Sequence, residues 1–105
     1  MRSEEVTVKN VMITVLPDGK GVVCDPNPAE VLPSQTVTWM MAGVPNVSAH
    51  FDPTTPFDAS GPFPPGVVAR VKNSPDVKKG DRFHTLFKDA NGHDVKTNGD
   101  IIIGG

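Results

Sequence analysis

Several features that mark whole classes of protein are missing from this chain. It has one cysteine and no tyrosine, and its net charge is −2, from 10 basic and 12 acidic residues. A single cysteine cannot form an internal disulfide, and no apolar stretch is long enough for a membrane-spanning helix. The charges form no basic patch of the kind that binds nucleic acid. We therefore expect neither a nucleic-acid partner nor a membrane partner.

The N-terminal residues Met1 to Glu5 lack the apolar segment that a secretory signal requires. If Met1 is the native start, a cytoplasmic location is expected. If a signal peptide was removed, the protein is periplasmic or secreted.

Turn-forming residues are abundant, with 11 prolines and 10 glycines among 105 residues. Prolines interrupt every long stretch, which leaves little room for helices of ordinary length. A chain of this length forms one domain, which we assign to residues 1–105. The composition therefore predicts a single domain of short elements joined by many turns.

Apolar residues alternate with polar ones in several segments, as in strands with one buried face. Val37, Trp39 and Met41 alternate in this way, and Asn46 to Asp52 shows the same period. Asn91-Gly92 and Asn98-Gly99 are hairpin-type turn signals. Further strands are predicted at residues 6–9, 11–16, 21–24, 67–71, 81–88 and 101–103. About seven or eight short strands are typical of an all-β sandwich or barrel.

Four segments, in their order and spacing, resemble plastocyanin-like and azurin-like cupredoxins. The stretch from Pro28 to Trp39 is similar to a strand pair of that family that ends in Val-Thr-Trp. Val44 to Asp52, Gly80 to Phe87 and Gly99 to Ile103 resemble later strands of the same family. The resemblance implies a Greek-key β-sandwich.

The resemblance does not extend to the copper ligands. Cupredoxins hold type 1 copper with two histidines, a cysteine and a weak axial methionine. Asn46 stands where the first histidine belongs, and residues 89–99 contain neither cysteine nor methionine. Cys24 lies on an early predicted strand, where we expect a buried structural thiol. The family resemblance therefore implies the fold without its copper site, and no cofactor.

The three histidines leave one alternative open. Two imidazoles with a nearby carboxylate suffice to bind Zn²⁺ or Cu²⁺. His50, His84 or His93 would form such a copper or zinc site if the strands bring them together. Otherwise they are ordinary surface histidines.

The segment from Pro53 to Gly66 contains five prolines and two phenylalanines and predicts a long loop. Phe57 and Phe63 either cap one end of the sandwich or are exposed for a partner. No catalytic motif, such as a nucleophile elbow or a phosphate-binding loop, occurs. We therefore do not expect an enzyme. We expect a non-catalytic binding or structural domain that contacts an unknown protein partner or a second copy of the chain. A histidine-based metal-binding protein is the alternative.

Overall fold

The structure, a computed structural model, describes residues 9–19, 21–43, 47–52, 54–59 and 61–104. The described residues form strands and turns and contain no helix. Of the predicted strand at Val6 to Lys9, only Lys9 is among the described residues. Asn46 also lies outside them. The strands are β1 Asn10–Asp18, β2 Gly21–Asp25, β3 Ala29–Val31, β4 Thr36–Met41, β5 Val47–His50, β6 Val68–Arg70, β7 Arg82–His84, β8 Leu86–Asp89, β9 Asp94–Val95, β10 Thr97–Asn98 and β11 Asp100–Ile103. The all-β prediction is confirmed.

Eleven strands are present in the described residues, rather than seven or eight. Part of the difference comes from the short strands β3, β9 and β10, which were not predicted, and part arises because the chain crosses from one sheet to another within one extended stretch. Only Thr85 separates β7 from β8, and its N–H donates to the Gly99 carbonyl over 3.0 Å. The predicted single strand over 81–88 is therefore divided between two sheets.

The expected hairpin turn at Asn98-Gly99 is wrong. Asn98 ends β10, which pairs with β2, whereas Asp100 begins β11, which pairs with β3 and β7. Gly99 lies where the chain changes sheets, directly against Cys24. A Cβ atom at Gly99 would lie 2.5 Å from the Cys24 sulfur, so this crossing requires glycine.

The largest sheet has five strands in the order β10-β2-β1-β4-β6. β1 and β2 form an antiparallel hairpin, and β1 pairs in parallel with β4 from Asn10 and Thr36 to Val15 and Met41. β6 adds antiparallel to the other side of β4. Two three-stranded sheets, β3-β11-β7 and β5-β8-β9, complete the fold.

Residues from all three sheets contribute to one hydrophobic core. Val15 and Trp39 from the large sheet are fully buried, and they share this core with Ile101 of β11 and Phe87 of β8. Strand alternation explains the selection, because every second residue of a strand points to the same face. The observed sheets and single core are compatible with a β-sandwich.

The Pro-rich loop is folded inward through its two phenylalanines. Phe57 forms an isolated bridge with Val71, and Phe63 forms one with Ala49. Both rings pack on Trp39, with centroid distances of 5.6 Å, and on each other at 5.3 Å. Phe57 and Phe63 are 0% and 3% exposed, so the expectation that they are exposed for a partner is wrong. They close the core because aromatic rings gain most by burial among other rings.

In the part of the chain that the structure describes, no helix has the length and apolar character needed to cross a membrane.

Replacing Phe57 with alanine tests this packing. Phe57→Ala is expected to lower the free energy of unfolding by about 3–5 kcal/mol, because it leaves a cavity beside Trp39. Phe57→Leu retains most of the side-chain volume, so its free energy of unfolding is expected to fall by less than that of Phe57→Ala. Urea unfolding followed by emission of the single tryptophan measures both. The half-buried Phe83 provides a matched control, and a loss for Phe57→Ala no larger than for Phe83→Ala would contradict the packing.

Candidate functional site

The large sheet has one face on the core and one face toward solvent. On β1, Ile13 and Val15 are buried, so Met12, Thr14 and Leu16 point to the opposite side. The same alternation places side chains of three further strands, β2, β4 and β6, on that side. This surface, called the outer face below, consists of Asn10, Met12, Thr14, Leu16, Asp18, Val23, Asp25, Thr36, Thr38, Met40, Val68 and Arg70, of which Thr38 is buried.

The strand register fixes the neighbours on the outer face. Met12 is opposite Thr38, and Thr38 is opposite Val68, which makes one row across three strands. Thr14 is opposite both Asp25 and Met40 in the next row. Because paired residues point to the same side, the side chains within each row are neighbours.

The outer face is apolar at positions where polar residues are usual. Antiparallel sheets normally have a polar solvent face. Here Met12, Met40 and Val68 are 48%, 44% and 58% exposed, and the directly paired Leu16 and Val23 are half-buried. These five residues are called the apolar patch below. Thr14 and Thr38 lie among these residues. Exposed apolar residues grouped on one sheet face are typical of interaction sites.

Polar groups at one corner of the outer face bond to one another. The Asn10 Oδ1 atom accepts hydrogen bonds from the hydroxyls of Thr36 over 2.8 Å and Thr38 over 3.1 Å. The Asn10 amide nitrogen lies 3.0 Å from the Met12 sulfur. Because these groups already have partners, the corner presents little unsatisfied polarity beside the apolar patch.

The three histidines do not form one site. Within the described ranges, no three His, Cys, Asp or Glu side chains are grouped so that they could hold a metal ion. His50 is half-buried on β5, and its Nε2 atom has no hydrogen-bond partner among the described residues. His93 is exposed in the turn after β8, with its Nδ1 atom 3.9 Å from Asp89.

His84 belongs to a surface ion cluster on β7 and β11. Its Nδ1 atom lies 2.8 Å from Asp100 Oδ1, and Arg82 Nε donates to Asp100 Oδ2 over 2.7 Å. Partial burial opposes ionisation of Asp100, but hydrogen bonds from His84 and Arg82 outweigh it and lower the pKa of Asp100. The cluster therefore favours a charged Asp100 at the junction of the two strands.

Cys24 is the buried structural thiol that the sequence predicts. It is 5% exposed in the core. Burial, with a smaller contribution from the Asp100 charge, raises the pKa of the Cys24 thiol to about 11. Because thiolate is the reactive and metal-binding form, this cysteine is poorly suited to either task.

Sequence reasoning missed the apolar patch, although a signal for it exists. The segment from Val11 to Leu16 is almost continuously apolar, so both of its faces are apolar whichever one is buried. An alternating pattern predicts which residues of a strand are buried. It does not show that the residues on the opposite face are apolar as well.

No protein-family model matches this chain, and no curated protein matches it significantly.

The Asp100 cluster predicts a pH dependence of stability. A lowered pKa means that ionised Asp100 stabilises the folded state. Its contribution is complete above the ordinary value of 3.8 and disappears as the pH falls through the lower folded value. Asp100→Asn is expected to reduce the free energy of unfolding by about 0.2–1 kcal/mol at pH 5, and by less at pH 2.5.

Urea unfolding at the two pH values measures this difference. Asp94→Asn is the matched control, because Asp94 is 88% exposed and lies 3.7 Å from Lys88. An equal effect of Asp100→Asn at both pH values would contradict the role of the charge.

The separation of the histidines predicts that added metal binds weakly. Titration with Zn²⁺ or Cu²⁺, followed by calorimetry, is expected to show no stoichiometric tight binding. His84→Ala and His93→Ala should leave the titration curve unchanged. One tight equivalent that either variant abolishes would contradict this prediction.

Proposed function

We propose that this protein is a non-catalytic interaction domain that associates with a second copy of itself through the outer face. The observation that carries the proposal is the apolar patch. Met12 and Met40 are close to half exposed on adjacent strands of a sheet whose other face already supplies the core. Methionine side chains are flexible and polarisable, and therefore adapt well to an apolar partner surface.

The proposed fold is a cupredoxin-like Greek-key sandwich that has no type 1 copper. Several features support it. The Val-Thr-Trp segment is the middle of β4, with Trp39 in the core, and the closing Ile-rich segment is β11, between β3 and β7. Cys24, on β2, has a raised thiol pKa and does not lie near the end of the chain, where that family has its ligand cysteine.

A second copy fits the outer face because both surfaces are open sheet faces. Sheets pack face to face at about 10 Å when their facing side chains are apolar. Four strands over about five residues cover roughly 320 Å² of sheet plane. Two such faces fall below the roughly 1,200 Å² of stable interfaces, in the range of weak or transient contacts. A weak dimer, with a dissociation constant below about 1 mM, is therefore proposed.

Sedimentation equilibrium between about 5 µM and 1 mM tests the proposal. The wild-type chain is expected to show a reversible monomer–dimer equilibrium. Met40→Lys and Met12→Lys should each shift it toward monomer, because a lysine ammonium would be desolvated in an apolar interface.

Leu32→Lys provides the matched control. Leu32 is also an exposed apolar residue, at 39%, but it follows β3 and lies outside the outer face. This variant should dimerise like the wild type. Tryptophan emission and circular dichroism establish that each variant is folded. A wild-type chain that stays monomeric at 1 mM, or an equal effect of Leu32→Lys and Met40→Lys, would overturn the proposal.

A further inference from the structure

We infer that the two copies pair about a two-fold axis on which Asp25 of each copy contacts Arg70 of the other. This inference rests on the proposed function, because it specifies the orientation of that dimer.

Asp25 and Arg70 lie on opposite sides of the outer face. Asp25 ends β2 and is opposite Thr14, whereas Arg70 ends β6 and is opposite Thr36. Both residues are exposed. Within the described residues, neither side chain has an ion-pair or hydrogen-bond partner. Each charge is therefore available for an intermolecular partner.

The register gives their separation in the plane of the sheet. β2 and β6 are three strand spacings apart, which is about 14 Å. Along the strands, Asp25 is level with Thr14 and Arg70 is level with Asn10, a further offset of about 13 Å. The two charges are thus roughly 20 Å apart, and the midpoint between them falls between Met12 and Thr38.

A two-fold axis that lies in the interface plane, passes through this midpoint and is perpendicular to the line from Asp25 to Arg70 places Asp25 of each copy opposite Arg70 of the other. Both opposite-charge contacts then form at once, since a two-fold interface repeats every contact. The same axis passes within a few ångströms of the Met12 and Met40 positions, as the strand spacings require. Methionines of the two copies meet at the centre, and the charge pairs lie at the rim.

The charge pairs would select this orientation over others. Rim charges contribute little affinity but disfavour arrangements that bring like charges together. Reversing one of the two charges creates two like-charge contacts in every dimer of the altered chain. The dimer dissociation constant of each single variant should then rise by about tenfold or more at low salt.

A mixing experiment tests the inference. Asp25→Arg and Arg70→Asp are purified separately and examined by sedimentation equilibrium, alone and as an equimolar mixture. Each variant alone should be largely monomeric where the wild type dimerises. In the mixture, the Asp25→Arg chain presents two arginines and the Arg70→Asp chain presents two aspartates. Both contacts are then of opposite charge, and the mixture should dimerise nearly as strongly as the wild type.

Asp76→Arg, in the exposed turn after β6, is the charge-matched control and should dimerise like the wild type. If the wild type dimerises but the mixture stays monomeric, or if neither charge reversal weakens the dimer, this orientation is overturned and the proposed function stands. If the wild type is monomeric at 1 mM, both fail. Addition of about 0.5 M NaCl screens the charges and should reduce the difference in dimer dissociation constant between the single variants and the wild type.

Discussion

The burial of Trp39 determines the arrangement of the rest of the large sheet. Its ring is fully buried and contacts the rings of Phe51, Phe57 and Phe63. Side chains of a strand alternate, so a buried Trp39 requires the adjacent Met40 to face the other way. The parallel pairing of β4 with β1 then places Met12 on that same side. The apolar patch is thus a geometric consequence of the core, and a one-residue shift in register would exchange the two.

The same aromatic cluster explains why the long loop is not an exposed binding element. Phe57 and Phe63 lie far from Trp39 in sequence, yet the backbone bridges to Val71 and Ala49 hold both rings against it. With those rings inside, the two phenylalanines of the loop are not available to a partner. The outer face instead combines exposed apolar side chains with a rigid framework, which reduces the entropy lost on association.

Sequence patterns were sufficient to predict the features that are determined by residues close together in the chain. The alternation in β4 and β5, the Asn91-Gly92 turn and the burial of Cys24 all depend on a few adjacent residues or on residue type. The positions of Phe57 and Phe63, by contrast, depend on contacts between distant segments. The sheet crossing at Gly99 depends on the close approach of Cys24, which no local pattern reports. Likewise, three histidines in a sequence say nothing about their distances until the strands are paired.

An exposed apolar sheet face can associate without limit. Charged residues beside the face can restrict this association to a defined number of copies. A face with no charges nearby allows another sheet to stack on it in many orientations, including ones that leave further surface open. Asp25 and Arg70, on opposite sides of the apolar patch, favour the orientation that pairs both of them, whereas Asp18 lies beyond the patch at the end of β1. A two-fold contact uses the same surface on both copies, so it closes after two chains. In the proposed dimer, therefore, the methionines supply the attraction, while Asp25 and Arg70 limit the assembly to a pair.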